Sequence, residues 1–360
     1  MEKGEQMLVY NLNLIISTIL IFISRVTQEN SKISKYFMLS GISIPIIISG
    51  LRFNVGTDFV EYKIWFYNYA DTKSINNIGF NYLIKLIKIF TNDFQVLFII
   101  SSIIINVLIF RFIKKNTKYY ELGYFLFISL YMYYSSFNIM RQWISIAIFL
   151  QALNYAFDKE FKKFLLLMII ASSFHSAALL FLPLYFLMYF KYTWKTTILL
   201  FSLTTIINLK LDTILVYLVN LFGITIFDKY LLYYDTDFAT SQGGGFAYII
   251  LFVITLSGFI ILRKTSKVKI KNFNQQFFLL TIGLVLSIFS VQNMIFARIQ
   301  LYLLPILIVT IPNILMYLKK YSKVYIYLLV VLCGIAYMNR SLINNAGHVL
   351  PYQICSIREK

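Results

Sequence analysis

Long apolar stretches alternate with short polar segments along the whole chain of 360 residues. Runs of roughly 16 to 25 apolar residues match helices that cross about 30 Å of hydrocarbon. They lack the period-two alternation of a membrane barrel. We therefore predict an all-α, polytopic integral membrane protein with about 12 transmembrane helices, in a range of about 10 to 12. The predicted spans are 7–24, 36–51, 94–112, 120–135, 142–157, 164–187, 194–209, 211–227, 246–262, 276–291, 295–316 and 324–338.

The longest polar interruption, residues 52–93, contains an amphipathic pattern near its end. In "FNYLIKLIKIF", at 80–90, apolar residues fall on one helical face and polar residues on another. The apolar face comprises Phe80, Leu83, Ile84 and Ile87. This pattern predicts an interfacial helix at 80–90 that lies along the membrane surface rather than crossing it.

Basic residues concentrate in five connecting segments, at 25–35, 111–118, 159–163, 263–271 and 319–323. With twelve spans these five segments lie on one side, which the positive-inside rule makes cytoplasmic. We then expect a single multi-span domain over 1–360 in the plasma or inner membrane. Both termini and the polar segments 52–93, 135–141, 228–245 and 291–298 are predicted to be extracytoplasmic.

The composition agrees with a membrane location and removes nucleic acid as a partner. Hydrophobic residues make up 59% of the chain and charged residues only 13%, more apolar side chains than a soluble core would hide. The net charge of +18 comes from 33 Lys and Arg against 15 Asp and Glu. Because the basic residues cluster in loops between spans, we attribute this excess to membrane topology.

A few charged residues lie inside predicted spans or at their outer ends, where an unpaired charge is costly and a functional role is the default hypothesis. They are Arg52 and Asp58 after the second span, Arg141 at an outer corner, His175 within 164–187, and Arg298. Each also has a simpler interpretation. Arg141 can anchor the interface, His175 can pack between helices, and Arg52 can pair with Asp58.

The residue types favour one chemistry among these candidates. The chain has no H-E-x-x-H motif and no second histidine near His175, so we expect no metal and no cofactor. Guanidinium groups bind phosphate oxygens in bidentate fashion and stay charged when partly desolvated. The set therefore favours a site for a phosphorylated, membrane-bound substrate.

Three stretches carry a resemblance to a known family. They are "LRFNVGTDFVEY", "NIMRQWISIAIFLQAL" and "KKFLLLMIIASSFHSAALLFLPLYFL", with weaker echoes in "RIQLYLLPILIVTIPNIL" and "VLPY". In order and spacing they resemble the EpsG-type polysaccharide polymerases, relatives of the Wzy polymerases of capsule, exopolysaccharide and O-antigen assembly. The resemblance implies a metal-independent membrane glycosyltransferase acting on undecaprenyl-diphosphate-linked oligosaccharides in the outer leaflet. It also implies the lipid bilayer, a flippase and a chain-length regulator of the same pathway as partners.

The resemblance also implies roles for individual residues. Arg52, Arg141 and Arg298 are expected to bind the lipid diphosphate, with Arg141 also catalytic because the leaving charge needs preorganised cations. Either Asp58 or His175 is expected to accept the proton of the attacking hydroxyl, with Asp58 favoured because it lies nearer the outer side. Sugar contacts are expected from Tyr62, Trp65 and Gln142, although an aromatic belt at the membrane interface explains Tyr62 and Trp65 equally well. The helix at 80–90 is expected to border a lateral opening for the prenyl tail.

Other functions remain as alternatives. A ligase that hands a finished glycan to another acceptor would use the same donor chemistry. A flippase or a carrier would show a two-fold internal repeat or matching broken helices, and the sequence shows neither. A membrane acyltransferase would use His175 as its base but would leave the three arginines without a task.

Overall fold

The apolar stretches form α-helices in the computed structural model, which describes residues 3–68, 78–190, 192–210, 245–263, 270–291 and 294–354. These residues contain no β-strand, and an isolated bridge joins Arg52 to Ile354. They form two compact units, one from Met1–Tyr185 with Ile311–Lys360 and one from Phe186–Thr310. The prediction of one membrane domain over 1–360 stays a prediction.

The first unit contains the helices that carry most of the predicted site. They are α1 (Lys3–Val26), α2 (Ser31–Leu51), α3 (Phe59–Tyr67), α4 (Ile78–Lys88), α5 (Gln95–Asn116), α6 (Tyr120–Ser129), α7 (Met132–Ser135), α8 (Met140–Phe157), α9 (Phe161–Phe174) and α10 (Leu184–Leu187).

The second unit begins after Tyr185. Its helices are α11 (Trp194–Asn208), α12 (Gly245–Arg263), α13 (Phe273–Ser290), α14 (Met294–Gln300) and α15 (Leu307–Met316), along which the division between the units falls. The last helix of the first unit is α16 (Lys320–Ile343). The predicted span 211–227 and the predicted loop 228–245 lie outside the described residues, except for Gly245, which begins α12.

Seven segments among the described residues are long and apolar enough to cross a membrane. The protein is therefore a multi-helix membrane protein, while the total of twelve spans stays a prediction. The seven are Gln6–Val26, Ser31–Leu51, Gln95–Asn116, Phe246–Arg263, Phe273–Ser290, Met294–Met316 and Lys320–Ile343.

Helix α8 forms the centre of the first unit. Every residue of this helix except Arg141 and Tyr155 is buried, and all ten residues of α6 are buried as well. A helix that is buried all round is covered by protein rather than by lipid. Arg141 is thus the one charged residue of the central helix, and it lies in the first turn.

The predicted single crossing at 164–187 is wrong, because this stretch doubles back. Helix α9 ends at Phe174, and a 3₁₀ helix, Ser176–Phe181, leads to α10. The Tyr185 hydroxyl then donates a 3.0 Å hydrogen bond to the Lys159 carbonyl, and its ring lies 4.9 Å from Phe161. The 14 residues of α9 rise about 21 Å before the chain returns. We call this segment, 161–185, the hairpin, and His175 lies at its tip.

The predicted amphipathic helix exists as α4, with the predicted apolar face. Phe80, Ile84 and Ile87 are buried, but they pack against protein, since Phe80 contacts the rings of Tyr62 and Trp65. At about 16 Å, a helix of 11 residues is too short to cross the hydrocarbon. Its position at the membrane surface stays a prediction.

The second unit is held together by contacts between its own helices. Thr197 of α11 and Thr281 of α13 share a 3.1 Å hydrogen bond. Arg263, at the end of α12, donates a 2.8 Å hydrogen bond to the Tyr192 carbonyl just before α11. The start of α11 and the end of α12 therefore lie at the same end of this unit.

Candidate functional site

The candidate site lies at one end of the first unit, where α2 ends and where α5 and α8 begin. The Gln95 amide at the start of α5 donates hydrogen bonds of 2.6 Å and 3.1 Å to the carbonyls of Gly50 and Arg52. At the far end of α5, Lys115 pairs with Asp158 at 2.8 Å. The 22 residues of α5 separate these two ends by about 33 Å. The basic segments at 111–118 and 159–163 thus lie at the end opposite the candidate site.

Asp58 stands at the position that precedes α3 but does not cap the helix. Its Oδ1 accepts a 2.8 Å hydrogen bond from the Thr57 hydroxyl, and its side chain makes no capping hydrogen bond to the helix backbone. Tyr62 and Trp65 follow at spacings of four and seven residues, so the three side chains share one face of α3. This face points toward the first turn of α8.

Arg141 meets that face of α3. Its guanidinium carbon lies 4.3 Å from the centre of the Trp65 ring, and its backbone N–H donates to the Tyr62 hydroxyl at 3.4 Å. Burial raises the pKa of Tyr62, while the charge and hydrogen bonding of Arg141 act in the opposite direction. Trp65 is itself fixed, because its Nε1 donates a 2.9 Å hydrogen bond to Asn81 of α4.

His175 lies at the level of Arg141. The backbone at His175 is extended, with φ −155° and ψ 113°. The Ser145 hydroxyl of α8 donates a 2.7 Å hydrogen bond to the Ala171 carbonyl of α9. Arg141 lies one turn before Ser145, and His175 lies one turn after Ala171. Because α8 and α9 run antiparallel, moving back along α8 and forward along α9 leads toward the same end of the helix pair. Arg141 and His175 therefore lie at the same level.

Helix α4 also reaches the tip of the hairpin. A Cβ added at Gly79 would collide with Ser173 and Phe174, the last residues of α9. Two positions further along α4, Asn81 holds Trp65. The start of α4 therefore lies between the Trp65 side of the site and the hairpin tip that carries His175.

Arg52 lies close to the site but is buried against the corner that precedes α8. It is only 2% exposed, and its Nη2 donates a 2.7 Å hydrogen bond to the Phe137 carbonyl. Its guanidinium carbon lies 4.4 Å and 5.0 Å from the ring centres of Phe137 and Phe98. Burial lowers the pKa of Arg52 to about 10, so the group stays charged at neutral pH. Among the described residues it forms no ion pair with Asp58.

The remaining predicted residues differ in accessibility. Tyr62 is 4% exposed and Gln142 is 2% exposed, so neither presents an open face for a sugar in this conformation. Trp65 is half-buried, and one ring face is covered by Arg141. Arg298 belongs to the second unit, where it is exposed on α14. Its role at the diphosphate stays a prediction, as do the sugar contacts.

Sequence reasoning missed three residues of this region. Asn81 holds Trp65, Asn138 joins two loops, and His348 accepts a 2.9 Å hydrogen bond from Gly56 N–H through its carbonyl. Asn138 begins the motif "NIMRQWISIAIFLQAL", so the sequence drew attention to this position but did not indicate which residues it contacts. His348 carried no periodic or motif signal. It is exposed, with a positive φ of 53°, beside the segment that carries Asp58.

Metal ligands do not gather in the described ranges. No group of three or more His, Cys, Asp or Glu side chains there is arranged to hold a metal ion. The chemistry of the cluster is instead that of a cation, a phenol, an indole and a carboxylate. Such a set is suited to binding a phosphate and a sugar. The metal independence of the reaction stays a prediction.

Comparison with known proteins gives one family. The model of the EpsG family matches residues 35–354, which include Arg52, Asp58, Arg141, His175 and Arg298. Neither the curated proteins nor the solved structures include a match to the chain. The matched range covers most of the chain and all three stretches that carried the resemblance. The chain therefore belongs to the EpsG family, and this membership points to a membrane enzyme of the polysaccharide polymerase type.

Proposed function

We propose that this protein joins undecaprenyl-diphosphate-linked oligosaccharide repeat units on the outer face of the membrane. The growing glycan moves from its lipid diphosphate to the next lipid-linked unit. The convergence of Arg141, Tyr62 and Trp65, with Asp58 on the same face of α3, carries this proposal. Family membership supports the polymerase class.

The proposed reaction forms one bond and breaks one bond. A hydroxyl oxygen of the acceptor sugar attacks the anomeric carbon of the donor glycan, and the bond from that carbon to the diphosphate oxygen breaks. The undecaprenyl diphosphate leaves with the bonding electrons, and its negative charge needs a fixed cation. Arg141 supplies that cation, because its position is set by the first turn of α8 and by the Trp65 ring.

The acceptor hydroxyl loses its proton to a base. Asp58 fits this role because its carboxylate is not used to cap α3 and lies one helical turn from Tyr62, which contacts Arg141. His175 is the alternative base, at the same level on the neighbouring helix. In either case the proton passes to the protein while the glycosidic bond forms.

The charge distribution supports an outer location for the site. The candidate site lies at the end of the first unit opposite Lys115, Asp158 and the basic segments around them. Because basic segments stay in the cytoplasm, the opposite end faces outward. Lipid-linked repeat units are available there once they have been flipped.

Deletion of the gene tests the proposal directly. We expect polymer to disappear and undecaprenyl-diphosphate-linked single repeat units to accumulate in the outer leaflet. Re-expression of the native chain should restore the polymer, and the Arg141→Ala variant should not. Polymer of normal length in the deletion strain would refute the proposal. Units trapped on the cytoplasmic side would indicate a flippase, and polymer that stays on its lipid diphosphate without transfer to another acceptor would indicate a ligase.

A further inference from the structure

Asn138 lies at the corner before α8, and both ends of its side-chain amide bind other segments. Its Oδ1 accepts a 2.9 Å hydrogen bond from the Thr57 backbone N–H. Its Nδ2 donates a 3.0 Å hydrogen bond to the Gly347 carbonyl. Thr57 directly precedes Asp58, and Asn138 precedes Arg141 by three residues. One amide thus links the segment of Asp58 to the first turn of α8.

The two glycines beside this amide leave room for nothing larger. Gly56 has φ +96° and Gly347 has φ +71°, a backbone region that favours glycine. A Cβ at Gly56 would lie 2.5 Å from Asn138 Oδ1, and a Cβ at Gly347 would collide with Asn138 Nδ2. Both loops are therefore shaped around the asparagine amide.

Further hydrogen bonds fix the segment that contains Gly347, the C-terminal turn at 345–352. Besides the bond from Gly56 N–H to the His348 carbonyl, the Tyr352 hydroxyl donates to the Ile48 carbonyl at 3.0 Å. Within the turn, the Asn345 side chain binds both the N–H and the carbonyl of Leu350. The C-terminal turn is thus a rigid support on which Asn138 holds the Asp58 segment.

We propose that Asn138 is a positioning residue for the glycosyl transfer, keeping the Asp58 carboxylate at a fixed place relative to Arg141. This inference rests on the proposed function. Both ends of the amide are already used in holding the loops, so Asn138 acts through Asp58 rather than on the substrate. Its loss misplaces the base and leaves the contact of Arg141 with Trp65 intact. Turnover therefore falls while donor binding is retained, since misplacement by about 1 Å costs up to about 100-fold.

The test uses the full-length protein in nanodiscs, with the lipid-linked repeat unit extracted from the deletion strain as substrate. For Asn138→Ala we expect kcat to fall about tenfold or more, with KM changed less than about twofold. Asn138→Asp keeps an acceptor for Thr57 N–H but has no donor for the Gly347 carbonyl, so it should recover only part of the lost kcat. Hydrogen exchange of residues 53–58 should be fastest in the alanine variant and intermediate, between alanine and native, in the aspartate variant.

Asn116→Ala is the matched control. Asn116 also makes two side-chain hydrogen bonds, to Phe112 and Asn154, at the end of the first unit opposite the site. It should lose thermal stability without losing kcat. An equal loss of kcat in the Asn116 and Asn138 variants, native kcat in Asn138→Ala, or unchanged exchange at 53–58 would each overturn the inference.

Two further outcomes keep this test separate from the proposed function. If the native protein does not elongate the extracted lipid-linked unit, the proposed function fails before Asn138 is tested. If Asn138→Ala does not accumulate in the membrane, Asn138→Ser takes its place, because its shorter side chain cannot reach both loops. The same fall in kcat at constant KM supports the inference, and native kcat overturns it.

Discussion

The guanidinium of Arg141 stacks on the indole of Trp65, with 4.3 Å between the guanidinium carbon and the ring centre. A cation over an aromatic face contributes about 0.5 to 2 kcal/mol. This contact holds Arg141 in place before substrate arrives. Arg141 also covers the ring face that a sugar would use, so in this conformation Trp65 positions the cation and does not offer that face to a sugar.

Replacing Arg141 by lysine tests the need for a planar cation. Arg141→Lys keeps the charge but loses bidentate binding and stacking, so we expect polymer formation to fall about tenfold or more at normal protein levels. Arg111→Lys, at an exposed position of α5, is the control and should form normal polymer. Native activity in Arg141→Lys would mean that only a positive charge is needed at this position.

Single substitutions at the two candidate bases separate their roles. Asp58→Asn keeps the shape but removes the proton acceptor, and we expect polymerisation to fall by about 100-fold or more. Glu61→Gln, at an exposed position in the first turn of α3, should leave polymerisation unchanged. If Asp58→Asn is active and His175→Gln is not, the base is His175. The rate of elongation of the extracted lipid-linked unit gives the answer.

Arg52 should matter first for stability. Its buried guanidinium binds the Phe137 carbonyl, so Arg52→Gln loses a charge-assisted hydrogen bond and the two ring contacts. Leaving a buried polar group unpaired costs about 1 to 3 kcal/mol. We expect a lower unfolding temperature in detergent, together with reduced polymer. Unchanged stability with lost polymer would instead support Arg52 as a direct diphosphate ligand, as the sequence suggested.

Cysteine labelling tests the hairpin. In a variant with Cys333 and Cys355 replaced by serine, single cysteines at Lys162 and Tyr185 should react from the same side of the membrane. The reason is that Tyr185 returns to the Lys159 carbonyl. A membrane-impermeant maleimide, applied to intact cells and to inverted vesicles, distinguishes the two sides. Labelling of the two cysteines from opposite sides would restore the single crossing at 164–187.

The sequence was most informative where periodicity or composition acts locally. The spans near 7–24, 36–51 and 94–112 correspond to α1, α2 and α5, because long apolar runs leave few alternatives to a helix. The amphipathic stretch at 80–90 also forms a helix. The hairpin was not predictable in this way, since its break at His175 lies inside an apolar run whose one proline, Pro183, comes eight residues later. The packing of Tyr185 on α9 and its hydrogen bond to the Lys159 carbonyl show that the chain turns back.

The candidate site was predictable in residue type but not in arrangement. Arg141 and Asp58 were identified from charge and motif and Trp65 as an aromatic sugar contact, and the structure brings them together at one face of α3. The burial of Arg52 depends on Phe98 and Phe137, which come from two other segments. The Asn138 side chain donates a hydrogen bond to the Gly347 carbonyl, although 209 positions separate the two residues. Contacts between residues so far apart in the sequence cannot be predicted from local periodicity or composition.

The Tyr10 hydroxyl donates a 2.6 Å hydrogen bond to the Val349 carbonyl, across 339 positions of the chain. A ribosome makes Tyr10 long before Val349, so helix α1 lacks this partner until a further 339 residues have been made. The contact between α1 and the C-terminal turn forms only after both have been made. Under the proposed function, a nascent chain that has not yet finished inserting would lack this support for the site and would not transfer glycan.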